Sequence, residues 1–313
     1  MQREIVVGTR ESKLALWQAN WVVENLKEAN PAYHFRIVGM RTQGDNILDV
    51  ALAKIGDKGL FTKELELGML SGEIDLAVHS MKDLPTVLPS GLTIGAVCRR
   101  EYPGDVLIAK DGKSLDKLPY GALIGTSSLR RCAQLLNYRA DLKMVNLRGN
   151  INTRLRKLSE EGLDATVLAY AGVKRMGWED RITQMIPFDI CLPAVGQGSI
   201  GVEVRRDDEE IVRLVSRIDH TESRCAIQAE RALLKKLEGG CQVPIGALGT
   251  VDSSCLALEG LVASLDGKQV VRSSIAGGLG EAGQLGQRLA EKLLELGAGD
   301  ILQEMRQENR VYE

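Results

Sequence analysis

The sequence predicts an α/β protein made of two doubly wound domains and a smaller α+β domain. Short apolar runs typical of buried strands alternate with helix-like amphipathic segments over the first two-thirds of the chain. This alternation favours parallel sheets that are covered by helices on both faces. After residue 219 the pattern changes to one long helix, several strand-like runs and a final helix. A chain of 313 residues is long enough for two or three domains that each bury a core.

The first predicted domain begins with a short buried strand and an amphipathic helix. Leu14, Trp17 and Trp21 recur at helical spacing in this helix. The predicted elements are strands at Ile5–Gly8, His34–Met40, 74–78 and Thr93–Cys98, and helices at Ser12–Lys27 and Phe61–Leu70. Because Pro85 cannot easily continue a regular element, we expect Lys82 and Asp83 on the loop just past the third strand.

A second run of alternating elements follows the charged segment 99–105, which contains a proline and a glycine. Strands are predicted at Val106–Ala109, Leu123–Gly125, Lys143–Leu147 and Thr166–Ala169, with helices starting near Ser128, Asn152 and Tyr170. In open α/β sheets the ligand crevice lies at the carboxyl ends of the strands. We therefore expect the residues that follow these strands, in both domains, to line one cleft.

The segment 192–204 contains proline and glycines and then runs into a strand, so it is expected to return the chain to the first domain. The predicted boundaries are 1–99 with 199–217 for the first domain, 104–194 for the second and 220–313 for the third. In the third domain, helices are predicted at Glu222–Leu237 and near Glu281–Leu296.

Three stretches place arginines beside hydroxyl or amide residues where a strand ends and a helix begins. They are Thr9–Ser12, Thr126–Arg131 and Arg148–Arg154. The first turn of a helix presents unpaired N–H groups and the positive end of the helix dipole, so a guanidinium there is unfavourable unless an anion is nearby. The pattern indicates a ligand with several negative charges. Solvated arginines, or arginines paired with nearby carboxylates, remain the alternative at each site.

Composition argues against several functional classes. The 40 Lys and Arg against 42 Asp and Glu leave a formal charge of −2, without the basic excess of a nucleic-acid binder. No secretory signal or membrane span is evident, so we expect a cytoplasmic protein. The cysteines form no Cys-x-x-Cys pair and the histidines are far apart, which argues against a zinc site or a disulfide framework. No exposed apolar stripe stands out, and we expect a monomer.

Cys241 differs from the other cysteines because it lies between two glycines and a proline, on a loop after a helix. There a thiol can project and the backbone can approach a ligand closely. The remaining cysteines are expected to be buried and inert. They are Cys98, Cys132, Cys191, Cys225 and Cys255. Either a functional or a structural role is open for Cys241 on this evidence alone.

Several motifs, in their order and spacing, make the chain resemble the porphobilinogen deaminase family over nearly its whole length. They are Gly8–Arg10 with Leu14–Gln18, Gly59–Phe61 with Lys63–Glu64, Val78–Asp83, Gly125–Arg131, Leu147–Asn150, Leu192–Gly198 and Leu237–Gly246. The resemblance implies three domains, of which the first two are like periplasmic binding proteins. It also implies that Cys241 holds a dipyrromethane cofactor through a thioether bond.

The resemblance further implies a transferase of tetrapyrrole biosynthesis. Such an enzyme condenses four porphobilinogen molecules head to tail on the dipyrromethane primer and releases ammonia and hydroxymethylbilane. An aminomethylpyrrole loses ammonia to give an azafulvenium cation, which the terminal ring attacks before losing a proton. Asp83 is the candidate catalytic group, because a carboxylate can stabilise the developing positive charge and mediate proton transfer. Pairing with Lys82 or capping of a turn is the alternative for Asp83.

Each added ring brings an acetate and a propionate, so guanidinium groups that bind carboxylates through two parallel hydrogen bonds are expected around the growing chain. The expected cofactor-binding residues are Cys241, Ser80, Lys82, Thr126, Ser127, Ser128, Arg130, Arg131, Arg148 and Gly172. The expected substrate-binding residues are Arg10, Ser12, Arg148, Arg154, Arg175 and Gln197. Lys54, Lys58 and Phe61, on or next to the Gly-rich segment 43–60, are expected to contribute to a mobile cover.

Two positions depart from the family pattern. Lys13 stands where many members have proline, and Val6 stands where some have arginine, which puts details of carboxylate binding in doubt. Two other classes remain as alternatives. A small-anion binding protein would use the same arginines but leave Cys241 unmodified. A thiol enzyme with Cys241 as acyl nucleophile would need a nearby base, for which His79 is the one candidate.

Overall fold

The computed structural model describes residues 3–46, 59–238 and 243–311. Its described residues form two compact units. The first unit contains residues 3–46, 59–101 and 198–224, and the second contains residues 102–197, 225–238 and 243–311. The chain thus leaves the first unit after residue 101 and re-enters it at residue 198. The division into three domains stays a prediction.

The first unit is built on a five-stranded mixed sheet. Its strands are β1 (Glu4–Arg10), β2 (His34–Met40), β3 (Leu76–Ser80), β4 (Leu92–Val97) and β10 (Ile200–Arg205). Its helices are α1 (Lys13–Ala29), α2 (Gln43–Asn46), α3 (Lys63–Leu70) and α7 (Glu209–Val215), with 3₁₀ turns at Met81–Asp83 and Ser216–Ile218. The strand order is β2-β1-β3-β10-β4. Strand β1 runs parallel to β2 and β3, whereas β10 runs antiparallel to both of its neighbours.

Alternate residues of these strands face opposite sides of the sheet and pack against different helices. Val7 packs with Leu26 of α1 in one buried cluster. Ala77 packs with Leu65 of α3 in another. Helices therefore cover both faces of the sheet, as the alternating sequence pattern predicts.

The second unit contains an α/β sheet of the same kind. Its strands are β5 (Asp105–Ala109), β6 (Leu123–Gly125), β7 (Lys143–Val145), β8 (Ala165–Ala169) and β9 (Gln184–Met185). Its helices are α4 (Leu129–Tyr138), α5 (Ile151–Glu160) and α6 (Tyr170–Arg175), with 3₁₀ turns at Leu115–Lys117 and Glu179–Arg181. The strand order is β7-β6-β8-β5-β9. Leu107 packs with Leu135 of α4 on one face, and Leu168 packs with Leu158 of α5 on the other.

The C-terminal part consists of an antiparallel sheet and long helices. Its strands are β11 (Ile245–Asp252), β12 (Cys255–Ala263) and β13 (Val270–Gly278), and its helices are α8 (Thr221–Lys236), α9 (Ala282–Leu293) and α10 (Gly299–Val311). A 3₁₀ turn at Leu279–Glu281 precedes α9, and a π-helical turn at Leu294–Ala298 follows it. Leu233, Leu258 and Leu289 share its buried core. Gly297, with a φ of +101°, turns the chain between α9 and α10.

The expected fold class is confirmed: two helix-covered sheets are followed by a smaller α+β part. The expected parallel strand pairs are present, but each of these two sheets also contains antiparallel pairs. Strand β10 enters between β3 and β4 in the opposite direction, and β5 runs antiparallel to β8 and β9. The expected loop at Asp83 is a 3₁₀ turn. The sequence reading also missed β9, which is two residues long, and α10, whose start at a glycine weakens the helical signal.

Within the described ranges, no helix combines the length and the apolar character that crossing a bilayer requires. In the same residues, no three His, Cys, Asp or Glu side chains are grouped so as to hold a metal ion.

Candidate active site

A pocket opens at the carboxyl ends of β1 and β3, beside the first turn of α1. It is lined by Arg10, Ser12, Leu14, Ala15, Gln18, Phe61, Val78, His79, Ser80 and Asp83. All of these residues belong to the first unit. Of the site residues predicted from the sequence, Arg10, Ser12, Phe61, Ser80 and Asp83 meet here.

Ser12 begins helix α1 at the edge of the pocket. Its Oγ accepts a hydrogen bond from the backbone N–H of Ala15 at 3.3 Å, which makes Ser12 the N-cap. The first turn of α1 contains no acidic residue. The positive end of the helix dipole is therefore not neutralised from within the helix, and it favours a negatively charged ligand.

Arg10 ends strand β1 and stacks on an aromatic ring. Its guanidinium carbon lies 4.3 Å from the centre of the Phe61 ring, within the range of a cation–π contact. Gly44 packs against the same ring so closely that a Cβ atom would have no room, and its N–H donates to the carbonyl of Leu60 at 2.9 Å. Contacts around Phe61 thus fix the surface on which the Arg10 guanidinium rests.

Asp83 ends the 3₁₀ turn that follows β3. The N–H of Met81, at the start of this turn, donates to the carbonyl of Ser199 at 3.0 Å. Gln18 Nε2 donates to Ser80 Oγ at 2.9 Å. These bonds position the end of β3. Asp83 is partly exposed in the pocket, whereas the neighbouring Lys82 is exposed.

In the second unit, a buried carboxylate organises the predicted arginines. Asp105 is fully buried at the start of β5, and its oxygens accept from Arg130 Nη1 at 2.7 Å and Arg131 Nη2 at 2.6 Å. Gln197 Nε2 also donates to Asp105, at 2.9 Å. Although burial opposes ionisation, the two guanidinium groups hold the pKa of Asp105 well below its usual range. Arg130 and Arg131 are therefore paired with a carboxylate, which is the alternative that the sequence left open.

These arginines nevertheless retain unused hydrogen-bond donors. The Nε of Arg130, the Nε of Arg131 and Nη1 of Arg148 are buried and have no acceptor among the described residues. A buried N–H without a partner costs free energy, and an anion that accepts from it removes this cost. The second unit therefore offers donors that suit carboxylates.

Hydroxyl and amide residues organise the loops around these arginines. Ser128 is the N-cap residue of α4, and its N–H donates to Thr126 Oγ1 at 3.3 Å. Ser127 Oγ donates to the carbonyl of Leu147 at 2.7 Å. These contacts connect the start of α4 with the end of the neighbouring segment 143–147.

The remaining predicted residues of the second unit lie at helix ends or inside α6. Asn150 caps α5 by accepting from the N–H of Thr153 at 3.0 Å, and Arg154 Nε donates to the carbonyl of Gly149 at 2.9 Å. Gly149 has a φ of +114°, a conformation that favours glycine. Gly172 is buried within α6, and Arg175 is the last residue of that helix.

Cys241, Lys54 and Lys58 lie outside the described residues.

The sequence analysis did not identify Asp105, Glu203 or Gln18 as residues that organise the two sites. Asp105 directly follows Pro103 and Gly104, so it was read as part of a crossing between domains. Glu203 interrupts an apolar strand between Val202 and Val204, and this interruption was a usable signal.

Two family models match the chain. The first is described as "Porphobilinogen deaminase, dipyromethane cofactor binding domain" and matches residues 5–213. The second is described as "Porphobilinogen deaminase, C-terminal domain" and matches residues 224–295. Together they cover most of the chain and agree with the family resemblance seen in the sequence.

Curated relatives match over the full length. A porphobilinogen deaminase from Pelotomaculum thermopropionicum is 72% identical over 310 residues, which are 99% of this chain and 99% of the relative. One from Desulforamulus reducens is 60% identical over 306 residues, with 98% and 99% of the two chains covered. One from Carboxydothermus hydrogenoformans is 60% identical over 308 residues, with the same coverage.

Proposed function

The chain belongs to the porphobilinogen deaminase family, and on this premise we propose which of its residues carry the reaction. It is a transferase of porphyrin biosynthesis that uses a dipyrromethane cofactor. It condenses four porphobilinogen molecules head to tail and releases ammonia and hydroxymethylbilane.

Asp83 is proposed as the catalytic carboxylate. The observation that carries this proposal is its place in one pocket with Arg10, Ser12 and Ser80 at the carboxyl ends of β1 and β3. The substrate loses ammonia and becomes a cation, and a carboxylate in the pocket stabilises that positive charge. After the new carbon–carbon bond forms, the same carboxylate accepts the proton that the ring carbon releases.

Arg10 and Ser12 are proposed to bind the acid side chains of porphobilinogen. Arg10 supplies a planar guanidinium already held on Phe61, and Ser12 begins a helix whose first turn carries no acid. A carboxylate binds such a pair of donors through charge-assisted hydrogen bonds. Arg148, Arg154, Arg175 and Gln197 complete the proposed substrate-binding set.

The residues present fit a cofactor with carboxylate side chains. The buried, unpartnered N–H groups of Arg130, Arg131 and Arg148 are donors that such side chains would satisfy. We assign the covalent bond to the thiol of Cys241 and further contacts to Ser80, Lys82, Gly172 and the segment 126–128. When bound, the dipyrromethane supplies the ring carbon to which the first substrate is joined.

We also propose that the enzyme works in the cytoplasm as a monomer, on a small-molecule substrate and without a nucleic-acid partner. The free cysteines Cys98, Cys132, Cys191, Cys225 and Cys255 suit a reducing compartment. Light scattering on the purified protein tests the oligomeric state. A particle near 34.1 kDa supports a monomer, and twice that mass overturns it.

Intact-mass measurement tests the assignment of Cys241. The purified protein is expected to carry the extra mass of two linked pyrrole units, and Cys241→Ser is expected to lack it. Cys255→Ser is the matched control, because Cys255, which was expected to be buried, is exposed and lies outside the proposed site. An extra mass that persists in Cys241→Ser would refute the attachment.

Asp83→Asn tests the catalytic assignment separately. This variant is expected to keep the cofactor mass and to lose turnover by roughly 10²- to 10⁴-fold, the usual contribution of a positioned acid–base group. Turnover at the wild-type level would remove Asp83 from the mechanism.

A further inference from the structure

Three titratable side chains form a buried cluster on the α3 side of the first sheet. His79 on β3 and Glu203 on β10 lie on the same face of the sheet, because Glu203 is opposite Ala77 and Gly201 is opposite His79. Glu66 comes from α3, which covers this face. His79 is 5% exposed, Glu203 0% and Glu66 7%.

The polar atoms of this cluster are poorly satisfied. His79 Nε2 lies 2.9 Å from Glu203 Oε2, which is ion-pair distance, but the contact lacks hydrogen-bond geometry. Both Glu203 oxygens and one Glu66 oxygen are buried without a hydrogen-bond partner among the described residues. Unsatisfied buried carboxylate oxygens are costly in a packed core and call for an explanation.

Two buried carboxylates near one another do not both stay ionised without cost. Burial raises the pKa of Glu66, and the negative charges of Glu203 and Glu64 add to this effect, while the Thr62 hydroxyl and the positive charge that His79 can carry act in the opposite direction. A proton held within the cluster therefore relieves the repulsion.

One member of this cluster also lines the active-site pocket. His79 borders the same pocket as Asp83. An imidazole with one nitrogen beside a buried carboxylate is an arrangement by which enzymes orient a proton-transfer group. Because Nε2 faces Glu203, Nδ1 is the ring nitrogen that this contact leaves available.

We propose that His79, oriented by Glu203, relays the proton that Asp83 takes from the substrate. This inference rests on the proposed role of Asp83. His79 acts through Asp83 and is in that sense a positioning and relay residue.

The protons released and taken up in one cycle are equal in number. Ammonia leaves the protonated aminomethyl group of the substrate, and the resulting cation joins the ring carbon of the growing chain. The C–H bond at that carbon then breaks, its electron pair returns to the ring, and the proton passes to the Asp83 carboxylate. From Asp83 the proton passes to Nδ1 of His79 and then to the released ammonia. Each cycle thus yields one ammonium ion and restores both residues.

The charged groups near His79 lie on several elements. Glu203 on β10 is at ion-pair distance from His79, Glu66 and Glu64 are on α3, and Arg10 and Asp83 line the same pocket as His79. Replacing His79 removes the group that exchanges protons while leaving Arg10 and Asp83 in place. The pH dependence of turnover is therefore a readout that a purely structural role of His79 would not move.

The test compares His79→Gln with His34→Gln in the cofactor-loaded enzyme. His34 is an exposed histidine on β2 and provides the matched control. His79→Gln is expected to keep the cofactor mass and the KM, to lower kcat by about 10²-fold, and to flatten the dependence of kcat on pH. His34→Gln is expected to behave as the wild type. Wild-type kcat with a wild-type pH profile in His79→Gln would overturn the relay.

Asp83→Asn, measured in parallel, separates the two proposals. An inactive Asp83→Asn beside a fully active His79→Gln refutes the relay and leaves the role of Asp83 standing. An active Asp83→Asn refutes the proposed function itself.

A second measurement covers the case in which His79→Gln does not fold. The double variant His34→Gln/His220→Gln retains His79 as its single histidine. NMR of its labelled imidazole is expected to show a change in chemical shift on addition of porphobilinogen. A resonance that does not respond to porphobilinogen would overturn the proposal.

Discussion

Arg10 in the first unit, and Arg130 with Arg131 in the second, follow the same sequence pattern but have different surroundings. Arg10 is the last residue of β1, just before α1, and Arg130 and Arg131 lie in the first turn of α4, shortly after β6. Arg10 borders a pocket and rests on Phe61, whereas Arg130 and Arg131 are 4% exposed and bound to Asp105. The sequence pattern predicts that these arginines lie near a strand end and a helix start. Whether their guanidinium groups also stabilise the fold depends on a buried carboxylate, which is present only in the second unit.

In the second unit, the same arginines stabilise the fold and offer donors to an anion, whereas in the first unit these two roles fall to different residues. Arg130 and Arg131 donate to Asp105 through their Nη atoms and keep their Nε atoms unpartnered. Each can therefore support the fold and bind an anion at once. Loss of Asp105 should damage stability first, while loss of Asp83 should damage turnover alone.

Asp105→Asn is expected to have the largest effect on stability. The substitution leaves two buried guanidinium groups without their counter-charge, and breaking a buried ion pair in this way typically costs about 3 to 5 kcal/mol. Urea denaturation of the variant measures this loss. Asp83→Asn is the control, because Asp83 is partly exposed and its loss should change the free energy of unfolding by less than about 0.5 kcal/mol.

Equal stability losses in the two variants would break the comparison. That result would mean that Asp83 also supports the fold, or that Asp105 is not the group that compensates Arg130 and Arg131.

The sequence was sufficient for what depends on local chemistry. The helix predicted at Ser12–Lys27 is observed as α1 at Lys13–Ala29, with Ser12 as its N-cap. Likewise, Pro85 correctly indicated that β3 ends before Asp83. In each case the decisive neighbours are only a few residues away in the chain.

Long-range pairing could not be predicted in the same way. Asp105 meets Arg130 and Arg131, which are 25 and 26 residues further along the chain. His79 and Glu203 meet only because β10 returns beside β3. A single sequence shows neither the strand order nor the antiparallel entry of β10, so these clusters emerge only once the fold is known.

Lowering the pH should destabilise the wild type more than Asp105→Asn, because the pKa of Asp105 is lower in the folded protein than in the unfolded chain. The Arg130 and Arg131 charges keep the folded pKa below the unfolded value of about 3.9. The stabilisation is therefore present above that pH and is lost as the pH falls toward the folded pKa. Between about pH 5 and pH 3, the wild type is expected to lose roughly 1 kcal/mol more unfolding free energy than Asp105→Asn.

Urea denaturation of both proteins at a series of pH values measures this difference. Identical pH slopes would show that protonation of Asp105 does not govern acid sensitivity in this range.

The smallest expected effects on stability and KM come from replacing two helix caps. Ser12 caps α1 beside the pocket, and Asn150 caps α5 in the second unit. Removing either cap oxygen by substitution with alanine should cost about 1 kcal/mol of unfolding free energy. Ser12→Ala should also raise the KM for porphobilinogen several-fold, because Ser12 borders the pocket with Arg10. Asn150→Ala should leave KM unchanged. If both variants lose stability and neither changes KM, Ser12 acts only as a helix cap. Arg10 would then be the remaining residue proposed to bind the substrate carboxylate in the first unit.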